Sequence, residues 1–366
     1  EQYSTSHLRK SSIRMLARSI TENKSHHGEH YITRNRSEYF KMFYSAAGGG
    51  VIIALMALNK IHIASLGFGE FTTSFLAGLN YGLGFMLIHM LHCTVATKQP
   101  AMTAASFAEQ VDSNEGSKAV DNKLAKLLID VCRSQSVAVF GNVSIAVLLA
   151  AGIAWGYAYT HGQPLLNEAV TAYQLKSIEI FTQPTLWYAA IAGVWLFCSG
   201  IIAGFFDNRS DYLNLRQRLP FNPFLRKIMR PQPRRRLAAY IHKHYGSLMG
   251  NFIFGMLLGV TGYFGHLFGL PLDIRHVAFS SANLGYAAIS GHADIFTFML
   301  GLASVLAIGM VNLVVSFSLA LAVALRSRGT RLGSMRNLLK SFWSQVKANP
   351  LILLYPVQVN NKDNTK

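Results

Sequence analysis

Residues 248–294, LMGNFIFGMLLGVTGYFGHLFGLPLDIRHVAFSSANLGYAAISGHAD, decide between two architectures. Leu248 to Leu270 contains no Asp, Glu, Lys or Arg and is long enough to cross a bilayer core, which takes roughly 20 apolar residues of helix. His276 to Ala293 is again free of formal charge and just reaches the length of a short span. Counted as a span, it gives a chain with its ends on opposite sides of a membrane. Left uncounted, it is a re-entrant hairpin or a short external helix packed on the bundle. Ser280, Ser281, Asn283 and Gly285 are tolerable at membrane depth only where they are buried against protein or line a wet cavity.

Charge settles the count. Besides 248–270, the apolar windows without Asp, Glu, Lys or Arg are 42–58 (extending to 64), 71–91, 137–159, 185–206 and 295–325, the last long enough to tilt or project. With six spans, 31 of the 34 Lys and Arg residues fall on one side, in 1–41, 93–136, 207–246 and 326–366. Only Lys60, Lys176 and Arg275 fall on the other. Cytoplasmic loops retain Lys and Arg, so both termini and the two large loops are expected in the cytoplasm. A seventh span would carry the basic tail outside. The sequence predicts an all-α, polytopic transmembrane bundle of about six spans: a cytoplasmic basic segment (1–41), the bundle (42–325, with a possible re-entrant segment at 276–293) and a cytoplasmic tail (326–366).

Composition agrees. The chain is 51% apolar and 14% charged, against about 25% charged in soluble domains. The net charge of +17 is accounted for by loops facing anionic lipid headgroups, so nucleic acid is not an expected partner, whereas membrane lipids are. Cys93, Cys132 and Cys198 are too few and too scattered for a disulfide framework or thiolate metal site, and no cofactor motif is present. The first residue, Glu1, is not Met, and 1–41 has no apolar signal core, so an upstream region is expected.

Outside the spans, Ser6 to Ile20 sets Lys10, Arg14 and Arg18 on one helical stripe and Ile13, Leu16 and Ile20 on another. That pattern suits a helix lying on headgroups or one packing on an upstream domain. Val120, Leu124, Leu127, Leu128 and Val131 predict an amphipathic helix leading into the third span. Arg216 to Arg236 is interrupted by Pro220, Pro223, Pro231 and Pro233 and is expected to be a loop with short turns.

Candidate sites are few. Glycines at 48–50, 78, 82, 84, 255, 259 and 262 point to close helix packing rather than a pore. Asn80, in mid-span, is expected to bond across helices. His89 and His92 share a helical face beside Cys93, but no third ligand is near, so no metal is assigned. They form a cytoplasmic polar interface with Lys98 and Gln99, where Lys98 meets a lipid phosphate or snorkels. On the other side, His62, His161, His266, Asp273, Arg275, His276, His292 and Asp294 fall near one depth. Such a rim, with Ser280, Ser281 and Asn283 following, suits a ligand site, a proton relay or a metal site, or an internal Asp273–Arg275 pair that fixes the turn.

Three motifs, AGLNYGLGFMLIHMLHCTVATKQPAMTA (77–104), AGFFDNR (203–209) and GNFIFGMLLGVTGYFGHLFGLPLDIRHVAFSSANLGYA (250–287), resemble the bacterial "site-specific recombinase" family, the gonococcal Gcr-like proteins, over roughly 34–325. Members are similar in having a longer N-terminal region. The family name implies DNA rearrangement. A tyrosine recombinase, however, gathers Arg, Lys, a His-x-x-Arg pair and a nucleophilic Tyr around one phosphate. The sequence has no His-x-x-Arg, and no soluble stretch long enough for a serine recombinase domain. No catalytic residue is assigned. The expected function is an inner-membrane scaffold or assembly component, with protein partners or self-association. The alternatives are a transporter or lipid-handling protein using the rim near Asp273, and the recombinase of the family name.

Overall fold

The computed structural model describes residues 33, 35–96, 118–328 and 335–356. Every regular element among them is helical, and six helices are long and apolar enough to span a membrane. In chain order the elements are α1 (Arg36–Ser65), α2 (Glu70–Met90), α3 (Lys118–His161), α4 (Glu168–Ile178), α5 (Thr185–Tyr212), α6 (Leu215–Arg218), α7 (Pro223–Ile228), α8 (Pro231–Phe268), α9 (Val277–Ser290), α10 (Ile295–Arg328) and α11 (Met335–Ala348). The stretch 6–20, Lys98 and Gln99 lie outside the described residues.

Local chemistry sets the boundaries. Asn35 caps α1, accepting from the Glu38 N–H at 2.9 Å while its side-chain amide donates to the Glu38 carboxylate at 2.9 Å. Gly269 ends α8 in the left-handed region at φ 63°, where glycine carries no Cβ penalty. The region 216–236 departs from expectation at its second half. Short turns run only to Met229, and Pro231 then opens α8. A proline in a helix's first turn sacrifices an N–H that has no partner there, so Pro231 starts the helix instead of breaking it. The expected amphipathic segment before the third span is continuous with it in α3, where Leu124, Leu127 and Val131 are buried against Leu338 of α11.

The long helices form an open ring in which α3 packs on α1, α2 on α8, α8 on α5 and α5 on α10. Close approach needs the glycines: a Cβ on Gly255 would lie 2.2 Å from Gly82 N, and one on Gly259 2.3 Å from Gly78 Cα. Asn80 does bond across the bundle, donating to Met56 O at 2.8 Å and accepting from Asn59 at 2.9 Å. The first and last described segments meet at one end of the bundle, where Tyr39 packs on Tyr355 and Arg133 donates to Thr33 O and Ile352 O.

Inside the ring sits α9. The segment after α8 runs back along that helix: Leu272 lies against Gly265, Asp273 near Gly262, and the His276 ring 5.7 Å from that of Phe254. Phe254 is roughly 21 Å from the end of α8 at 1.5 Å per residue. From there α9 returns along α10, Val277 beside Gly309 and Leu284 beside Gly301. It is buried almost throughout, packing on α1, α3, α4 and α10, and Tyr286 donates to Ala54 O of α1 at 3.0 Å.

Candidate functional site

The extended limb 269–276 carries its own polar chemistry into the bundle. Arg275 is satisfied on several sides: Nε donates to Ser177 O at the end of α4 at 2.6 Å, Nη1 donates to Asp273 Oδ2 at 2.7 Å and to Ile274 O at 2.8 Å, and the guanidinium lies over the Tyr188 ring. Asp273 Oδ1 accepts from Ile274 N at 2.7 Å. The pair therefore fixes the turn, as one of the sequence readings expected. At the turning point, fully buried Asn312 accepts from Val277 N at 3.0 Å and donates to Ala189 O at 2.7 Å and Arg275 O at 3.1 Å.

The rim expected from sequence is not one cluster. His266 leaves it, pairing with Glu70 at 2.8 Å on the exposed surface. His276 is buried, its ring among those of Phe85, Phe254 and Phe279, and it caps α9 by accepting from Ala278 N. His161 stacks on Tyr157 and His292 occupies a left-handed turn position. Asp294 caps α10, and hydrogen bonds from the Thr297 hydroxyl and N–H hold its carboxyl below the usual range. Ser281 is buried and donates to Ala278 O. Ser280 and Asn283, one turn apart on α9, do share a cavity with Asp273, Arg275 and His276.

That cavity, about 260 Å³, is bounded by α1, α2, α4, α8, α9 and the extended limb. Lys60, Tyr81, Tyr173 and Gln174 add to its polar wall, and none of them is a site residue expected from sequence. A second cavity of about 520 Å³ lies between α1 and the start of α4, walled by Leu58, Ile61, Leu165, Leu166 and Val170 with His62 and Asn167 at its margin. Lys60, Ala64, Tyr173 and Gln174 line both. Lys60 makes no hydrogen bond or ion pair with the described residues.

At the other end of the bundle, His89 Nε2 lies 3.1 Å from His244 Nδ1 of α8, whose ring packs on Tyr240. His92 sits beyond α2 at φ 56°. The His89–His244 contact was not foreseen, since the two are far apart in sequence. The signal lies only in two glycine-rich helices able to approach closely.

A family model described as site-specific recombinase matches residues 1–356. The chain belongs to the site-specific recombinase family. No curated protein and no solved structure matches it. Family membership confirms the resemblance carried by 77–104, 203–209 and 250–287. Among the described residues two tyrosines lie under arginines, Tyr355 under Arg36 and Tyr188 under Arg275, both through the ring face and in different parts of the bundle.

Proposed function

We propose that the protein is a multi-pass bacterial inner-membrane protein of the lipid-handling or transporter class. Both termini would lie in the cytoplasm, the segment 269–293 would re-enter the bilayer from the outside, and the polar cavity at Lys60 would receive a ligand from that side. The single observation that carries this reading is the junction of a polar and an apolar cavity at an unpaired lysine. Intramembrane ionisable groups are costly and mark functional sites by default, and Asp273 and Arg275 already satisfy each other, whereas Lys60 has no such partner among the described residues. The distribution of 31 of 34 basic residues supports the orientation. Ion-coupled transport is the weaker form of the proposal, because coupling usually employs an unpaired buried carboxylate and Asp273 is held by Arg275.

The experiment is side-specific labelling. In a chain whose three cysteines are replaced by serine, S280C and N283C are exposed to a membrane-impermeant maleimide in intact spheroplasts. Labelling from outside, slowed by occupancy of the cavity, is the expected result. Labelling only after the membrane is opened would overturn both the orientation and the site.

One observation favours the scaffold reading as a second possibility. The glycines singled out from sequence all have neighbours within the chain, but Gly152 and Gly156, one turn apart on α3, have nothing within 4 Å. Close-approach residues without a neighbour fit a helix of a second copy or a partner.

A further inference from the structure

We infer that the two cavities form one site for a single-chain amphiphile with an anionic, phosphate-bearing head. The inference rests on the ligand-binding reading above and narrows it to a chemical class.

The head side is argued from unmet polar groups. Tyr81, Gln174 and Ser280 are each more than nine-tenths buried, at 8%, 4% and 3% exposure, and all three line the inner cavity. None of their side-chain polar groups has a hydrogen-bond partner among the described residues. Buried polar groups are hydrogen-bonded in the great majority of native structures, so these three call for water or a ligand as their partner. The hydroxyls and amide supply donors in several directions, and Lys60 supplies the charge. With Asp273 and Arg275 neutralising each other at 2.7 Å, the cavity's formal balance is one uncompensated positive charge. That balance selects a monoanion over a zwitterion or a neutral sugar. A phosphate diester takes one ammonium and several neutral donors at once.

The tail side is argued from the adjoining wall. The second cavity shares Lys60 with the first and is lined by Leu58, Ile61, Leu165 and Val170, and its volume of about 520 Å³ lies in the range of small-molecule sites, roughly 300 to 1,000 Å³. A polar chamber and an apolar one joined at a lysine match a molecule whose head and chain meet at its anion. A free phosphate ester would use only the first chamber.

The full-length chain in mild detergent is titrated with three probes: lysophosphatidylglycerol, lysophosphatidylcholine of the same chain length, and glycerol 3-phosphate. Native mass spectrometry reads stoichiometry and calorimetry reads affinity. The expected result is one lysophosphatidylglycerol per chain, bound at least about tenfold more tightly than either other probe. Lys60→Met should weaken it about tenfold or more, Lys60→Arg should retain most of the affinity, and Val170→Trp, which fills the apolar chamber, should weaken it with Lys60 intact. Unchanged thermal unfolding shows that each variant is folded. Equal affinity for lysophosphatidylcholine would overturn the anionic head. Equal affinity for glycerol 3-phosphate would overturn the amphiphile and leave the ligand-binding reading standing. No binding of any probe, with S280C still labelled from outside, would overturn the chemical class alone. Absence of both would remove the site.

Discussion

Replacing Asn312 with leucine tests how the interior of the bundle is held. Asn312 is fully buried on α10, and its side chain makes three hydrogen bonds, to Val277 N, Ala189 O and Arg275 O. It therefore joins α10, α5 and the point where the extended limb turns into α9. Interhelical side-chain bonds in membrane proteins average about 0.6 kcal/mol each, which gives roughly 2 kcal/mol for three. Val277 N–H is in addition a first-turn donor with no partner within its helix, and stranding it costs about 1 to 3 kcal/mol. Because the two figures overlap, the expected loss is roughly 2 to 4 kcal/mol. Unfolding by steric trapping in bicelles measures it, and amide hydrogen exchange locates it: protection should fall at 275–280 and persist in α1 and α2. A loss below about 0.5 kcal/mol with unchanged exchange would refute the account, since it would mean that the bonds to Asn312 are replaceable by solvent.

Gly255→Ala should cost about 1 to 3 kcal/mol, because its Cβ would meet Gly82 backbone at 2.2 Å and only separation of α2 from α8 relieves that. Gly152→Ala, with nothing within 4 Å, should leave the monomer's stability intact; equal losses in a thermal-aggregation assay would contradict this difference. Arg275→Lys should lower stability by about 1 to 3 kcal/mol, because one ammonium cannot reach Ser177 O, Ile274 O and Asp273 together; wild-type unfolding would show the planar fork to be dispensable. Glu70→Gln should change stability by less than about 1 kcal/mol, since its pair with His266 is exposed, and a larger loss in the same unfolding assay would mean that the pair organises more than its surface.

The spans were legible because bilayer thickness and loop charge act on whole segments and average over single residues. The site was much less so, and Lys60 shows why. Trimming the first apolar window at Leu58 keeps it free of charge, yet α1 continues through Lys60 to Ser65. The charge that weakens a span by hydropathy is the one that marks the cavity. The other omissions are tertiary. α4 is a short helix in what reads as a connecting segment, visible only as Val170, Gln174 and Ile178 at helical spacing. Tyr81 and Gln174 become neighbours of one cavity only when α2 and α4 close around α9. His266 was grouped with Asp273 by proximity in sequence, but the left-handed turn at Gly269 sends the chain back into the bundle and leaves His266 outside with Glu70.

Subtraction makes the assignment of the site sharper than a list of polar residues would. Non-helical backbone inside a helical bundle needs protein groups to satisfy it, and the limb 269–276 is supplied with them. Trp187 Nε1 donates to Pro271 O at 2.9 Å, Arg275 to Ile274 O, and Asn312 to Arg275 O, while Asp273 accepts from Ile274 N and Tyr188 O from Arg275 N. Asp273, Arg275, Asn312 and Trp187 are thus needed to keep the limb in place, and mutating them reports on folding before it reports on any ligand. What remains after that subtraction is Lys60 with Tyr81, Gln174 and Ser280, on four separate helices, none of whose side-chain polar groups is hydrogen-bonded by the described residues. A functional test directed at Asp273 or His276 would confuse support with site. The same test directed at Lys60, which supports no backbone, separates the two.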